Sequence, residues 1–249
     1  MAPLDWLTAR PIAHRGLHDA AAGIIENSAS AFSAAIAGNY GIECDVQVSA
    51  DGEAMVHHDD ALGRLTEGDA RLATLSAAAL KVAPFKATAD RMLTLGELRD
   101  LVGGRVPLVI ELKSRFDGDL RLTRRVTDVL AGYRGPVAAM SFDPAPIAAM
   151  RTLAPQLTRG IVAERHYAHH EWDGMTSATK RNLAWFLHAP KSRPQFVAYS
   201  VKDLPAAAPR LAQHLFGLPL LTWTVRSEAD RDAAARYADQ MIFEGFRPD

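Results

Sequence analysis

Residues 41–59, GIECDVQVSADGEAMVHHD, alternate apolar side chains with Glu43, Asp45, His57, His58 and Asp59. The alternation is that of strands, and charged groups within strands are costly unless something binds them. Asp51-Gly52 predicts a two-residue hairpin loop, because a type I′ turn needs positive φ at both positions. That loop places Asp45 opposite His58, and directly opposed residues share a face. Glu43, Asp45 and His58 then project to one side, with Ile42, Cys44, Val46 and His57 on the other.

Two further stretches add complementary groups. PLVIELK, residues 107–113, is an apolar strand ending in Glu111 and Lys113, which face the same way. PIAHRGLHD, residues 11–19, runs a short strand into His14-Arg15-Gly16. Glu43, Asp45 and Glu111 are hard oxygen ligands, suited to Mg²⁺ or Ca²⁺ and poorly matched to structural zinc. Arg15 offers a planar fork for phosphate, and Lys113 a second cation. One divalent ion with these cations would neutralise a phosphoryl group. His14 and His58 remain for proton transfer. This is the equipment of phosphodiester cleavage: a base for the attacking oxygen, an acid for the leaving alkoxide, and charge for the anionic oxygens.

Something must bring these residues together. Strand candidates fall at Ile12–His14, Ile42–Val48, Ala54–His58, Leu108–Leu112 and Val137–Ser141, then at Gly160–Ala163, Phe196–Ser200, Leu220–Val225 and Gln240–Phe243. Helix candidates fall at Ser28–Ala37, Thr94–Leu101, Leu120–Ala131 and Pro144–Leu153, then at Ser177–Leu187, Leu204–Gln213 and Glu228–Tyr237. Thr94 with Glu97, Asp143 before Pro144, and Ser227 mark helix starts. Strands alternating with helices predict a parallel α/β fold, and a closed TIM-type (β/α)8 barrel is favoured over an open sheet. The antiparallel hairpin formed by the second and third strands absorbs the ninth strand. Residues 1–249 read as a single domain, with 164–194 as a loop and one helix over an end of the barrel.

Composition narrows the classes. A chain of 249 residues with 48% hydrophobic content can bury one large core. A net charge of −1 shows no electrostatic footprint for nucleic acid or an anionic membrane. Cys44 is the only cysteine, so no intrachain disulfide forms. No signal peptide, membrane span or Trp/Leu-rich interfacial segment is read from the sequence. The expectation is a cytoplasmic monomer or homodimer without stable membrane association.

The ordered set His14-Arg15-Gly16, Glu26-Asn27, Glu43-x-Asp45-Val46, His58-Asp59 and Glu111-x-Lys113 resembles the glycerophosphodiester phosphodiesterase family. LGRLTEG at 62–68, LTLGELRDL at 93–101, SFDP at 141–144 and LTWTV at 221–225 extend the resemblance over nearly the whole chain. It implies a TIM-type barrel with the site at the C-terminal strand ends. It implies metal ligands Glu43, Asp45 and Glu111, and catalytic histidines His14 and His58. It also implies substrate or phosphate contacts from Arg15, Lys113, Trp223, Glu26 and Asn27. The reaction implied is hydrolysis of a glycerophosphodiester to sn-glycerol 3-phosphate and an alcohol, with the glycerol 2-hydroxyl available as internal nucleophile. The choice of base and acid between the histidines stays open, with His14 preferred as base.

The sequence departs from the family pattern in places. Ile25 and Ser28 flank Glu26-Asn27 in place of Pro and Thr. The substrate-covering insertion near 60–93 is short, implying a more open site. Glu244-Gly245 stands where the family has Thr-Asp. The alternative reading is a phospholipase D-like hydrolase of lysolipids or another phosphodiester using the same site. A non-catalytic binding barrel ranks below it, because every key position is filled. Trp6, Trp172 and Trp185 read as packing residues or loop anchors, and His57 as facing the outer layer.

Overall fold

The structure is a computed structural model and describes residues 4–248. Nine strands form one sheet: β1 (Ile12–Ala13), β2 (Gly41–Val48), β3 (Ala54–Val56), β4 (Leu108–Leu112) and β5 (Val137–Ser141), followed by β6 (Thr158–Ala163), β7 (Phe196–Ser200), β8 (Leu220–Val225) and β9 (Gln240–Phe243). Eight of them are parallel, and β1 pairs with both β2 and β9, which closes the barrel. β3 lies antiparallel on the upper half of β2, outside the closed ring. The expected TIM-type barrel with an irregular hairpin is the observed fold.

Strand periodicity divides the core into two layers. Val109, Ala138, Met140, Val162, Ala198 and Leu221 fill the barrel interior. Ile42, Cys44, Val46, Leu108, Ile110 and Leu112 point outward against the helices. Inward positions on β2 and β4 therefore include Glu43, Asp45 and Glu111. A short helix, α1 (Asp5–Thr8), closes the barrel's lower end, with Leu7 packed into the interior cluster. Gly160 gives room for the Phe196 ring, since a Cβ there would lie 2.3 Å from it.

The outer helices are α2 (Ala29–Ala37), α3 (Ala77–Val82), α4 (Leu95–Val102), α5 (Arg121–Val129) and α6 (Pro144–Leu153), then α7 (Ser177–Ala184), α8 (Ala189–Ser192), α9 (Ala207–Phe216) and α10 (Glu228–Tyr237). Thr94 and Glu97 form the expected capping box of α4, a device worth about 1 kcal/mol. Asp143 caps α6 ahead of Pro144. The α9 helix starts later than expected, because Pro205 precedes it and Pro209 is tolerated only in its first turn.

The hairpin register differs from expectation by one residue. Val46 pairs with Val56, and Ser49 closes the loop by donating to the Glu53 carbonyl at 2.9 Å. The loop is Ala50-Asp51-Gly52, with only Gly52 at positive φ, the geometry of a three-residue loop with a bulge. His57, not His58, therefore stands opposite Asp45, and its N–H donates to the Asp45 carbonyl at 3.0 Å. β3 ends at Val56, so ladder parity no longer governs His58.

Residues 60–93 form a small lobe on the hairpin. Its own apolar centre joins Leu72, Leu80, Phe85 and Met92 to Met55 of β3 and to Ile25. The lobe leads out of His58-Asp59, so its packing fixes where those two residues lie.

Candidate active site

The barrel's C-terminal mouth gathers the acidic residues first. In the sheet register Asp45 is the β2 neighbour of Glu111 on β4. One carboxylate oxygen from each of Glu43, Asp45 and Glu111 lies within 4.8 Å of the others, and all three residues are buried. Burial raises the Glu43 carboxyl well above the ordinary range, and the charges of Asp45 and Glu111 add to it. Burial acts the same way on Asp45, but Lys113 and Arg15 outweigh it and hold that group low. Glu43 Oε1 is buried without a hydrogen-bond partner. Crowded anionic oxygens with an unsatisfied acceptor are the donor set of a hard divalent cation. The cluster therefore fits Mg²⁺ or Ca²⁺ by its chemistry.

Two cations flank the carboxylates. Lys113 Nζ lies 2.6 Å from Glu111 Oε1 and 2.8 Å from Asp45 Oδ1. Arg15 binds Glu26 Oε1 through Nη1 at 2.7 Å, and its Nε is 3.2 Å from Asp45 Oδ2. Its backbone N–H donates to Glu43 Oε2 at 2.9 Å. That amide points inward because Arg15 and Gly16 both adopt positive φ as the chain leaves β1. A Cβ on Gly16 would also lie 2.9 Å from the Ala31 carbonyl carbon, so α2 can pack this close only on glycine.

Each histidine is backed by a carboxylate. His14 Nδ1 is 2.5 Å from Glu244 Oε2, and its Nε2 faces Glu43 Oε2 at 4.0 Å. His58 Nδ1 is 2.8 Å from Asp59 Oδ1. Asp59 is held by Arg64 at 2.7 Å, and Arg64 also binds Glu26 at 2.6 Å. Burial would raise Glu26, but Arg64 and Arg15 pull its carboxyl down to about 2. His58 is hydrogen-bonded to Asp59, from which a continuous chain of ion pairs runs through Arg64, Glu26 and Arg15 to Asp45. Burial lowers the His14 pKa, against the pull of Glu244.

A cavity of about 230 Å³ lies over the carboxylates, lined by His14, Arg15, Glu43, His58, Glu111, Lys113 and Trp223. It meets an outer groove of about 540 Å³ at His58 and Lys113. Trp223 stands against Phe142, with ring centroids 5.5 Å apart. Glu26 and Asn27 do not line the cavity. Asn27 donates to Asp45 Oδ2 at 2.9 Å and accepts from the Asp45 N–H at 3.2 Å, so it orients the Asp45 carboxylate from behind.

Several members of the site were not singled out from the sequence. Glu164 is buried at the end of β6 and lines the cavity beside Trp172. Arg226 binds Glu244, and Arg64 binds Asp59 and Glu26. Arg64 stood inside the LGRLTEG match, which was its only signal. His57 is 1% exposed with neither ring nitrogen partnered, in the electrostatic reach of Asp59, Arg64, Glu26 and Asp45. It lies behind the site and does not face outward as expected.

An eight-stranded parallel barrel gathers three clustered carboxylates, two cations and two histidines at its C-terminal mouth, where barrel enzymes carry their sites. The family model of the glycerophosphoryl diester phosphodiesterase family matches residues 14–247, and the chain belongs to that family. A curated relative, the glycerophosphodiester phosphodiesterase of Caldanaerobacter subterraneus subsp. tengcongensis, is 29% identical over 161 residues, 61% of this chain. The match spans 65% of that relative's length. The structure of an Oleispira antarctica phosphodiesterase in complex with the product sn-glycerol-3-phosphate is similar, with a TM-score of 0.77 at 20% identity over 96% of this chain and 94% of that one. The glycerophosphodiester phosphodiesterase of Thermotoga maritima gives 0.70 at 21% identity over 93% and 92%. At these identities the structural likenesses speak for the fold.

Proposed function

We propose that the protein hydrolyses glycerophosphodiesters to sn-glycerol 3-phosphate and an alcohol, using a divalent cation and two histidines. The observation that carries this reading is the triad Glu43, Asp45 and Glu111, with one carboxylate oxygen from each within 4.8 Å of the others, two of the three residues lining a cavity that His14 and His58 also line. Family membership and the name of the curated relative support the same reaction class.

Glu43, Asp45 and Glu111 would hold the cation, Mg²⁺ or Ca²⁺, which when bound supplies charge to the phosphoryl oxygens and acidifies a hydroxyl beside it. Arg15 and Lys113 add positive charge on the same floor and orient the phosphate. Glu244 accepts from His14 Nδ1–H, which leaves the Nε2 lone pair facing the site. Burial keeps that imidazole neutral near pH 7, ready to take a proton from the attacking hydroxyl. The hydroxyl belongs to water, or to the neighbouring glycerol 2-position, in which case water must then open the cyclic phosphate so formed to give the monoester. His58, oriented through Asp59, returns a proton to the leaving alkoxide. Trp223 lines the cavity and supplies apolar surface for the glycerol carbons.

The test is release of glycerol 3-phosphate from glycerophosphocholine and glycerophosphoethanolamine, with chelator and then with Mg²⁺, Ca²⁺ or Mn²⁺ restored. Metal-restored turnover that disappears in His14→Ala and Glu43→Ala is the expected result. A folded chain that binds metal and turns over neither substrate would overturn the substrate assignment.

A further inference from the structure

One face of the helical shell lies far from this chemistry. Trp185 and Leu187 follow α7, and Leu211, Leu215 and Phe216 lie on α9; these five residues are between 48% and 74% exposed. A groove of about 670 Å³ runs between the two sets, with Ala212 and Leu218 among its lining. Trp185 is thus neither packed nor a loop anchor, contrary to the sequence reading. The groove sits where chain leaves helices and enters β7 and β8, which is the lower end of the barrel, opposite the catalytic mouth. Large apolar groups gathered on a surface mark an interaction site.

Basic side chains predominate around it. Arg193 lines the groove, Arg210 precedes Leu211 on α9, and Arg151 reaches across to the Lys191 carbonyl at 2.5 Å. Among the described residues, Arg151, Lys191, Arg193 and Arg210 pair with no carboxylate. Asp239, which borders α9, is already bound by Gln213 and by the Leu220 amide.

We propose that this face docks reversibly on anionic lipid bilayers. The aromatic and leucine side chains enter the interfacial region while the four unpaired cations meet lipid phosphates, the two signals that peripheral attachment combines. A second copy of the chain is a poorer occupant, because a two-fold contact would set these cations against one another. This surface has no local signature, because 185–187 and 211–216 are separate stretches that only the fold unites. Reversible docking is compatible with the expectation of no stable membrane association. Docking is independent of the catalytic reading, and its orientation deepens that reading: the mouth faces away from the bilayer, toward water-soluble diesters.

Sedimentation of the full chain with phosphatidylcholine vesicles, with and without phosphatidylglycerol, tests the idea. Binding is expected only with phosphatidylglycerol and is lost at high salt. The double variant Lys191→Glu, Arg193→Glu should lower partitioning at least about tenfold, and Phe216→Ser should lower it too. Turnover of glycerophosphocholine in solution should be unchanged in both, so vesicle binding and catalysis are scored separately. Absence of binding to phosphatidylglycerol vesicles overturns the proposal. So does equal binding to both vesicles, or a lipid-free dimer that Phe216→Ser dissolves.

Discussion

Glu244 Oε2 lies 2.5 Å from Nδ1 of His14, although 230 residues separate the two in sequence. The bond closes the barrel seam, because His14 leaves β1 and Glu244 leaves its neighbour β9. It fixes which ring nitrogen carries the proton and raises the basicity of the other. Glu244→Gln should lower kcat about 10- to 100-fold with little change in KM, as loss of an orienting carboxylate does. The sign of the pH effect follows. Glu244 raises the His14 pKa, so its removal lowers it, and the acid limb of the rate profile moves to lower pH. Glu244→Asp should recover part of the rate. An unchanged pH profile would show that Glu244 acts only through packing.

The crowding of Glu43, Asp45 and Glu111 gives a second expectation. Burial and two neighbouring anions disfavour charge on Glu43, so Glu43→Gln removes a repulsion in the metal-free chain. With chelator present, the thermal midpoint of this variant should equal or exceed that of the parent. Added Mg²⁺ or Ca²⁺ should raise the parent's midpoint by mass action and leave the variant's nearly unmoved. Turnover should fall more than about 100-fold. A lower midpoint for the variant in chelator would mean that the carboxylates are stabilised by protein groups alone.

How much of this could be read without coordinates depends on the range of the interaction. The inward parity of Glu43, Asp45 and Glu111 was legible because a strand has period two and its apolar residues declare the outer face. The barrel was legible from the alternation of strands and helices. The hairpin register was not, because a bulged three-residue loop and a tight two-residue loop differ by one residue and share Asp-Gly. His57 was misplaced for that reason. The Glu244–His14 and Arg64–Glu26 contacts join residues 230 and 38 positions apart, and no local pattern encodes them. The lobe at 60–93 was seen only as an insertion, since its short elements carry too little periodicity to show its packing.

Asn27 offers a test of positioning from behind the site. It sits at φ 55°, in the left-handed region, and makes two hydrogen bonds to Asp45. Asn27→Ala keeps a strained backbone and leaves the buried Asp45 amide and carboxylate short of partners, together costing about 2–4 kcal/mol. Asn27→Gly should recover about 1 kcal/mol of this by relieving the backbone alone. Urea unfolding of the pair separates the two contributions. Equal stabilities would remove the backbone term from the account.

His188 supplies a prediction outside the site. It is buried between α7 and α8, with Nδ1 2.9 Å from Ser192 Oγ and Nε2 without a partner. Burial pushes its pKa from 6.5 down to about 4. The folded state therefore favours the neutral ring, and the unfolded chain binds the extra proton between those two values. Stability from this group is full above about pH 6.5 and is lost as pH falls toward 4, by roughly 3 kcal/mol in all. His14 and His57 are also lowered by burial and contribute in the same direction, so the comparison must be with a variant. His188→Gln keeps a polar group within reach of Ser192 and cannot titrate. Near pH 7 the variant should lie within about 1 kcal/mol of the parent, and at pH 4.5 it should be more stable by about 2 kcal/mol. Parallel stability–pH curves for the two proteins would show that the His188 ring is reached by water and carries no acid penalty.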